Sequence, residues 1–385
     1  MTQRVLIAGA GIAGPALGIA LRRAGIESII YEASDRPRDD AGVFLNVAPN
    51  GLSVLRALGL TARLDGRGFR NDRLVFHNET GRVLAEAPVG GITIRRGELS
   101  RMLREAARDL GVVFEFGKSL SSVAAHDGQV VAHFADGTTA RGSSLVGADG
   151  IHSRTRSSCF ADAPDPAYTG IINLGGIVRT DLPPTGNAMH MIFGRRGFFG
   201  YAVRPDGDTY WFSNIGQKAE PARGVVVTSD HRERLLATHD GDPPEVKRIL
   251  QAVSGEIGAW PDYDISPLPT WHRGRVCLLG DAAHAVGPHV GQGSSLALED
   301  AFVMAKCLRD IPDASLAFST FERVRRGRVE PILRQSRRTG RQKAPTGWLG
   351  RKIRDAILPV FLKSSARAAI DLYHYDVEAE SLRAN

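Results

Sequence analysis

Val5-Leu6-Ile7-Ala8-Gly9-Ala10-Gly11-Ile12-Ala13-Gly14 is the stretch on which the fold turns. Its first four residues are a short unbroken apolar run, the pattern of a parallel strand buried on both faces. Glycines follow at positions 9, 11 and 14, and from Ile12 to Ala24 the apolar spacing is helical. Pro15 falls in the first turn of that helix, where its missing N–H has no partner to lose. Ser28-Ile29-Ile30-Tyr31 reads as a second strand, ending in Glu32. A GxGxxG turn between strand and helix suits a dinucleotide pyrophosphate. Gly9 permits the tight turn, Gly11 has no Cβ to block a phosphate, and Gly14 lets helix and strand pack closely. Ile12 and Ala13 open the helix, whose N-terminus offers N–H groups and a positive dipole end. Glu32, eighteen residues beyond Gly14, is placed to accept from ribose hydroxyls, and its charge would repel a 2′-phosphate. The turn alone leaves NAD and FAD open.

Outward from this unit the pattern stays α/β as far as Gly147. Val43 to Asn46 is a strand, and Asn50 is expected to cap a helix running to Leu58, which Gly59 stops. Leu74 to Leu84 reads as a hairpin around Asn78-Glu79-Thr80-Gly81, and helix returns from Arg96 to Leu110. Short strands follow at Val112–Phe116, Leu120–His126, Val130–Phe134 and Ser144–Gly147. Between about Tyr168 and Ile265 the character changes to short aromatic and β-branched runs broken by turn signals, the mark of an antiparallel sheet. A buried strand reappears at Arg275–Leu279, with a helix from about Ser294 to Arg309, and the remainder is mostly helical. The expected fold is therefore α/β. A Rossmann-like, glutathione-reductase-type domain over 1–72, 92–167 and 266–325 is interrupted by a mainly antiparallel β substrate domain, 73–91 and 168–265. C-terminal helices cover 326–385.

The chain has 385 residues and 43 glycines, an excess that fits tight turns and close approach of backbone to a bound molecule. Its charge of +7 is local. Nine basic residues against one acid lie between Arg323 and Lys343, so the rest of the chain is about neutral. Their helical spacing reads as a solvated face for most of them. Cys159, Cys277 and Cys307 are widely spaced, without a CxxC pair, which argues against a disulfide framework or a zinc site and for a reducing cytoplasm. No run of eighteen apolar residues occurs, and Pro359 interrupts the short Ile357–Leu362 run, so stable membrane insertion is not expected. A nucleic-acid-binding module using the basic helix would leave the nucleotide-type turns unexplained, so no nucleic-acid partner is expected.

Two further turns separate the cofactors. Asp149-Gly150 ends the strand at Leu145–Gly147, and Gly280-Asp281-Ala282-Ala283-His284 ends the strand at Val276–Leu279. Pro288, Gly291, Gln292 and Gly293 then lead to a helix beginning near Ser294, and Arg96-Gly97-Glu98-Leu99 has an RxxL form. With these residues the chain resembles the group A, para-hydroxybenzoate hydroxylase-like flavoprotein monooxygenases over most of its length. Two positions depart from the family pattern. Thr155 stands where an aliphatic residue is usual, and Ser295 where many members carry Asn.

The resemblance implies FAD bound in extended form, with Glu32 on the adenosine ribose, Arg96 on the pyrophosphate side and Asp281 on the ribityl chain. It implies that Asp149-Gly150 contacts both FAD and the nicotinamide cofactor, that NADPH or NADH is a transient reductant, and that O2 adds at flavin C4a to give an oxygen-donating hydroperoxide. The helix N-terminus near Ser294 suits a reduced flavin, which carries negative charge near N1. His284 belongs to the family's cofactor motif and is expected to be structural, as are His152 and His289. The antiparallel insert should roof the pocket for an aromatic or polyketide-like substrate, with Leu45, Phe193, Phe199, Tyr201, Tyr210, Phe212 and Pro288 as candidate walls. No dedicated catalytic base is identified, no metal is expected, and a monomer or weak homodimer is expected. Baeyer–Villiger insertion or epoxidation on the same scaffold, and a FAD-dependent reductase or dehydrogenase, are the rival chemistries. Halogenation is disfavoured because no WxWxIP pattern surrounds Trp211, Trp260, Trp271 or Trp348.

Overall fold

The computed structural model describes residues 4–39, 42–126, 128–221, 230–255, 257–287, 290–343, 347–364, 373 and 375–382. Pro288 and His289 lie outside the described residues. Arg4–Ala8 stands at the middle of a six-stranded sheet, between Ser144–Gly147 and Glu27–Tyr31, with Val276–Leu278 and Val113–Glu115 next outward. These strands are parallel, and only the edge strand His272–Arg273 runs antiparallel. Val5, Leu6 and Ile7 are buried because both faces are covered. Ile7 touches the site of Gly14 on helix Ala13–Arg23, whereas Leu6 crowds Gly142 of the three-stranded sheet formed by Leu120–His126, Gln129–Phe134 and Thr139–Gly142. Successive strand residues point to opposite faces, so helices and the small sheet sandwich the central one. Helices Arg96–Asp109 and Gly293–Asp310 pack beside Ala13–Arg23.

A second, seven-stranded sheet runs in the order Gly258–Asp264, Ala167–Arg179, Asp208–Gly216, Gly197–Val203, Ala188–Phe193, Arg73–Asn78, Val83–Pro88. Its pairs are antiparallel except one: Ala188–Phe193 joins Arg73–Asn78 in parallel, because the hairpin comes from an earlier part of the chain and adds to the sheet's edge. One face buries Trp211, Phe199 and Ile192 against Leu235, Val246 and Ile249 of helices Asp230–Thr238 and Pro244–Ala252. Helix Trp348–Ser364, with Pro359 inside it, packs on strand Val83–Pro88.

Two local expectations change. Asn50 is not a cap: the helix is Pro49–Ala57, Pro49 takes the first turn, and Asn50 is buried with its amide donating to Gln292 Oε1 at 2.8 Å and Glu299 Oε1 at 2.6 Å. The arginine stretch, on helix Ala314–Lys343, is solvated at Arg323, Arg334 and Arg338, but four of its described arginines are not. Arg325 is fully buried between Glu299 and Asp300, Arg326 pairs with Glu322 and Glu330, Arg328 with Glu299, and Arg337 with Asp264. The partnering carboxylates lie far off in sequence for all but Arg326, which is why the run looked unbalanced.

Candidate active site

The glycine turn is held from below. Gly9 has φ +107°, and its N–H donates to the Tyr31 carbonyl at 2.7 Å. A Cβ on Gly9 would lie 2.5 Å from the Ala148 carbonyl oxygen, and one on Gly14 would lie 1.9 Å from that of Gly9, so both must lack side chains. A Cβ on Gly11 would meet nothing within 4 Å. That glycine therefore answers to something outside the protein chain, as a cradle for a phosphate would. Glu32 closes the turn, its carboxylate accepting from the N–H of Ala10 at 2.8 Å and of Ser34 at 3.0 Å. Ser100 donates to the Gly11 carbonyl at 3.1 Å and Arg104 to Ser100 Oγ at 2.8 Å, tying helix Arg96–Asp109 to the turn.

The other two turns are linked to each other. Asp149 accepts from Ser153 Oγ at 2.6 Å, from Thr155 N–H at 2.9 Å and from Thr155 Oγ1 at 3.0 Å, and its burial raises its pKa. Thr155, the departure from the family pattern, is thus part of the Asp149 clasp. Ser153 caps helix Arg154–Cys159, and Arg156 on that helix donates to the Ala282 carbonyl at 2.9 Å. Gly280 has φ +57°, and its N–H donates to Asp300 Oδ2 at 2.8 Å. His284 Nε2 bonds the same oxygen at 2.6 Å, while Arg325 donates to Asp300 Oδ1 and to Glu299 Oε2, each at 2.7 Å. Burial alone would raise the Asp300 pKa, but the His284 and Arg325 charges outweigh it and hold it at about 2. His284 is accordingly a structural group below the turn, packed on Trp271 with ring centres 4.8 Å apart. Asp281 is exposed to the cavity; desolvation by the protein packed around it raises its pKa, against the pull of His284 and Arg96.

These turns meet in one cavity of 1760 Å³. Gly9, Gly11, Ile12, Ala13, Glu32, Arg96, Asp149, Gly150, Asp281, Gly291, Gly293, Ser294 and Leu45 line it, as do Arg36 and Arg38. Gly14, Gly280 and Gln292 lie behind the wall, where they set backbone geometry. Of the arginines at 323, 325, 326, 328, 334, 337 and 338, none reaches the cavity. Ser295, the second departure, accepts from Ala48 N–H at 3.1 Å and sits 2.6 Å from where Gly51 would carry a Cβ, so it serves a helix contact.

The seven-stranded sheet forms the opposite wall, and alternation decides which aromatic residues reach it. Phe193 and Phe212 line the cavity, joined by Phe76, Met189, Met191 and Phe198, which the sequence reading missed. Phe199 and Tyr201 do not line it: they project from the other face, Phe199 stacked on Trp211 at 5.8 Å and Tyr201 on His190 at 5.1 Å. Tyr210 shares the inward face but is covered by Phe44 at 5.4 Å and Phe69 at 4.9 Å. The strand register holds the signal that was missed. Met191, Gly200, Phe212 and Gly175 stand directly opposite one another, as do Phe193, Phe198, Asn214 and Asn173. Gly200 matters here, because a Cβ there would fall 2.2 Å from the Phe212 ring.

The site fits FAD. It pairs an open glycine cradle with acidic groups for ribose and ribityl hydroxyls, a helix N-terminus, and more volume than the roughly 300–1,000 Å³ of an ordinary ligand pocket. The FAD binding domain family model matches residues 2–332. The chain is 30% identical over 356 residues to the 6-hydroxynicotinate 3-monooxygenase of Pseudomonas fluorescens, spanning 87% of this chain and 90% of that protein. It is 31% identical over 347 residues to the aurachin C monooxygenase/isomerase of Stigmatella aurantiaca, spanning 87% and 88%. Its fold matches the crystal structure of a Klebsiella pneumoniae HpxO variant complexed with FAD at a TM-score of 0.85 and 26% identity, over 96% of this chain and 98% of that one. The chain belongs to the FAD-binding domain family and is an FAD-dependent monooxygenase of the group A, para-hydroxybenzoate hydroxylase-like type.

Proposed function

We propose that the protein hydroxylates a small aromatic molecule, consuming one O2 and one NADPH or NADH per turnover and releasing the second oxygen atom as water. The observation that carries this reading is the convergence of three motif turns and an aromatic sheet face on one cavity. Monooxygenase relatives acting on 6-hydroxynicotinate and aurachin C support it. Bound FAD supplies electron transfer from the nicotinamide and activation of dioxygen.

The chain's residues supply placement. The pyrophosphate rests on Gly11 and the N–H groups of the helix opened by Ile12 and Ala13, with Arg96 beside it. Gly9 and Gly14 shape that turn, and Glu32 takes the adenosine ribose. Asp281 takes the ribityl chain, with Gly280 setting its angle. Gly291, Gln292, Gly293 and Ser294 present a helix N-terminus to the end of the ring system that becomes anionic on reduction. Asp149-Gly150 lines the cavity for contact with both FAD and the nicotinamide cofactor, and Arg36 and Arg38 are the cations offered to the latter's phosphates. Among the described residues no helix is long and apolar enough to cross a membrane, and Cys159, Cys277 and Cys307 are free thiols, in keeping with a cytoplasmic enzyme.

Purified protein should be yellow, its visible absorbance bleached by NAD(P)H and restored in air. A panel of aromatic compounds then tests the reaction: substrate should stimulate coupled NAD(P)H and O2 consumption and gain the mass of one oxygen. NAD(P)H oxidation that transfers electrons to the organic compound without O2 uptake would mark a reductase instead.

A further inference from the structure

The cavity's cations are segregated. Arg36, Arg38, Arg96, Arg104 and Lys118 line the end that receives the dinucleotide. The described residues through which the seven-stranded sheet lines the cavity include no Lys, Arg or His, and their two ionisable groups, Glu86 and Asp262, are both acids. Toward the sheet edge formed by Val83–Pro88 this wall becomes a continuous apolar compartment of Phe76, Met191, Phe193, Phe198 and Phe212, closed by Leu358 of the C-terminal helix. Among the described residues Arg354 lies over the Phe193 ring at 4.8 Å, and it pairs with Glu79 at 3.2 Å and Asp355 at 2.8 Å. At the opposite edge, Asn214 donates to Asn173 Oδ1 and Asn173 to Asp262 Oδ1, a neutral-to-acidic patch. His152 and Arg154 approach the cavity from the Asp149-Gly150 loop, not from the sheet, and the His152 ring stands edge-on to Tyr263 at 4.9 Å.

Resting on the oxygenase reading above, we propose that the substrate is an uncharged, hydrophobic aromatic molecule of more than one ring or with an alkyl substituent, and that the sheet wall discriminates against carboxylated aromatics. A carboxylate driven into this compartment loses its water and finds no unpaired cation among the described residues of the sheet wall, a costly burial. It would also face Asp262 or Glu86. The apolar walls instead gain from each buried CH₂ or ring face. This separates the chain from a relative that acts on 6-hydroxynicotinate, whose name itself denotes a carboxylate.

The test uses oxidised FAD-loaded enzyme without reductant, titrated with 2-naphthol or with 6-hydroxy-2-naphthoate, reading the perturbation of the flavin's visible spectrum. The naphthol should bind at least about tenfold more tightly. A smaller ratio, a reversed one, or no detectable naphthol binding overturns the inference. Asp262→Asn should strengthen naphthoate binding and leave naphthol binding unchanged, and Met191→Lys should do the former more strongly at the naphthol's expense. Retention of FAD reports that each variant is folded, and the near-isosteric Asp262→Asn keeps the test intact if Met191→Lys does not fold; no gain in naphthoate affinity in Asp262→Asn also overturns it. Because nothing is oxidised, the outcome is independent of the reaction. The expected preference without any oxygenated product would refute the proposed function alone, whereas oxygenation of the naphthoate in preference to the naphthol would refute this inference alone.

Discussion

The two walls of the cavity are made of different material. The dinucleotide wall is backbone: glycines, N–H groups and helix ends, gripped by carboxylates such as Glu32 at the cavity surface and Asp300 behind it. The sheet wall is side chain: phenylalanines and methionines brought together by register from four strands. The first has no slack: at Gly9 and Gly14 the backbone leaves no room for a side chain. The second can be repacked, and there a family with a common cofactor can diversify.

That contrast can be broken at several points. Gly14→Val should have the largest effect, since its Cβ would collide with the Gly9 carbonyl at 1.9 Å and neither backbone can give. The protein should fail to hold FAD, read as visible absorbance per chain. Arg325→Met comes next, because it removes the fully buried cation shared by Glu299 and Asp300 and leaves them only Arg328 and His284. Breaking such a pair costs about 3–5 kcal/mol, to be read as a lower thermal midpoint and looser FAD. The same cluster sets an acid limit. Asp300 is depressed from 3.8 to about 2 in the folded protein, so its contribution is fully present above its unfolded value and is lost as pH falls through about 2. Asp300→Asn should be less stable at neutral pH and lose less further stability between those limits.

Asp281→Ala and Glu32→Ala should weaken FAD binding, Glu32→Ala by about tenfold through lost hydrogen bonds worth roughly 1–2 kcal/mol. Unchanged affinity in either would remove that residue from the cofactor site. On the other wall, Gly200→Ala pushes against the movable Phe212 ring at 2.2 Å. It should retain FAD and raise KM for substrate a few-fold, with little change in reduction by NAD(P)H. Loss of FAD in Gly200→Ala would show that the walls are not separable in this way.

The central sheet and the three turns were legible because each is local. A strand, a glycine turn and a helix follow one another within fifteen residues, and the constraint on Gly9 or Gly14 comes from backbone a few positions or one strand away. Asn50 was misread because its residue type fits a cap equally well, and its partners Gln292 and Glu299 are more than two hundred positions distant. Within the arginine run Arg325 was misread for the same reason: it is paired by carboxylates on another helix.

On its own, then, the amino-acid order determined the strand-turn-helix units, the acidic residues Glu32 and Asp281 that stand beside the turns in the cavity, and the chemistry of the cofactor they suit. Tertiary structure decided the substrate wall. In a strand whose aromatic residues occupy both parities, as in Phe198-Phe199 and Tyr210-Trp211-Phe212, alternation alone cannot say which face turns inward. That choice fell to helices Asp230–Thr238 and Pro244–Ala252, which bury Phe199 and Trp211 on one side and so leave Phe198 and Phe212 to the cavity on the other.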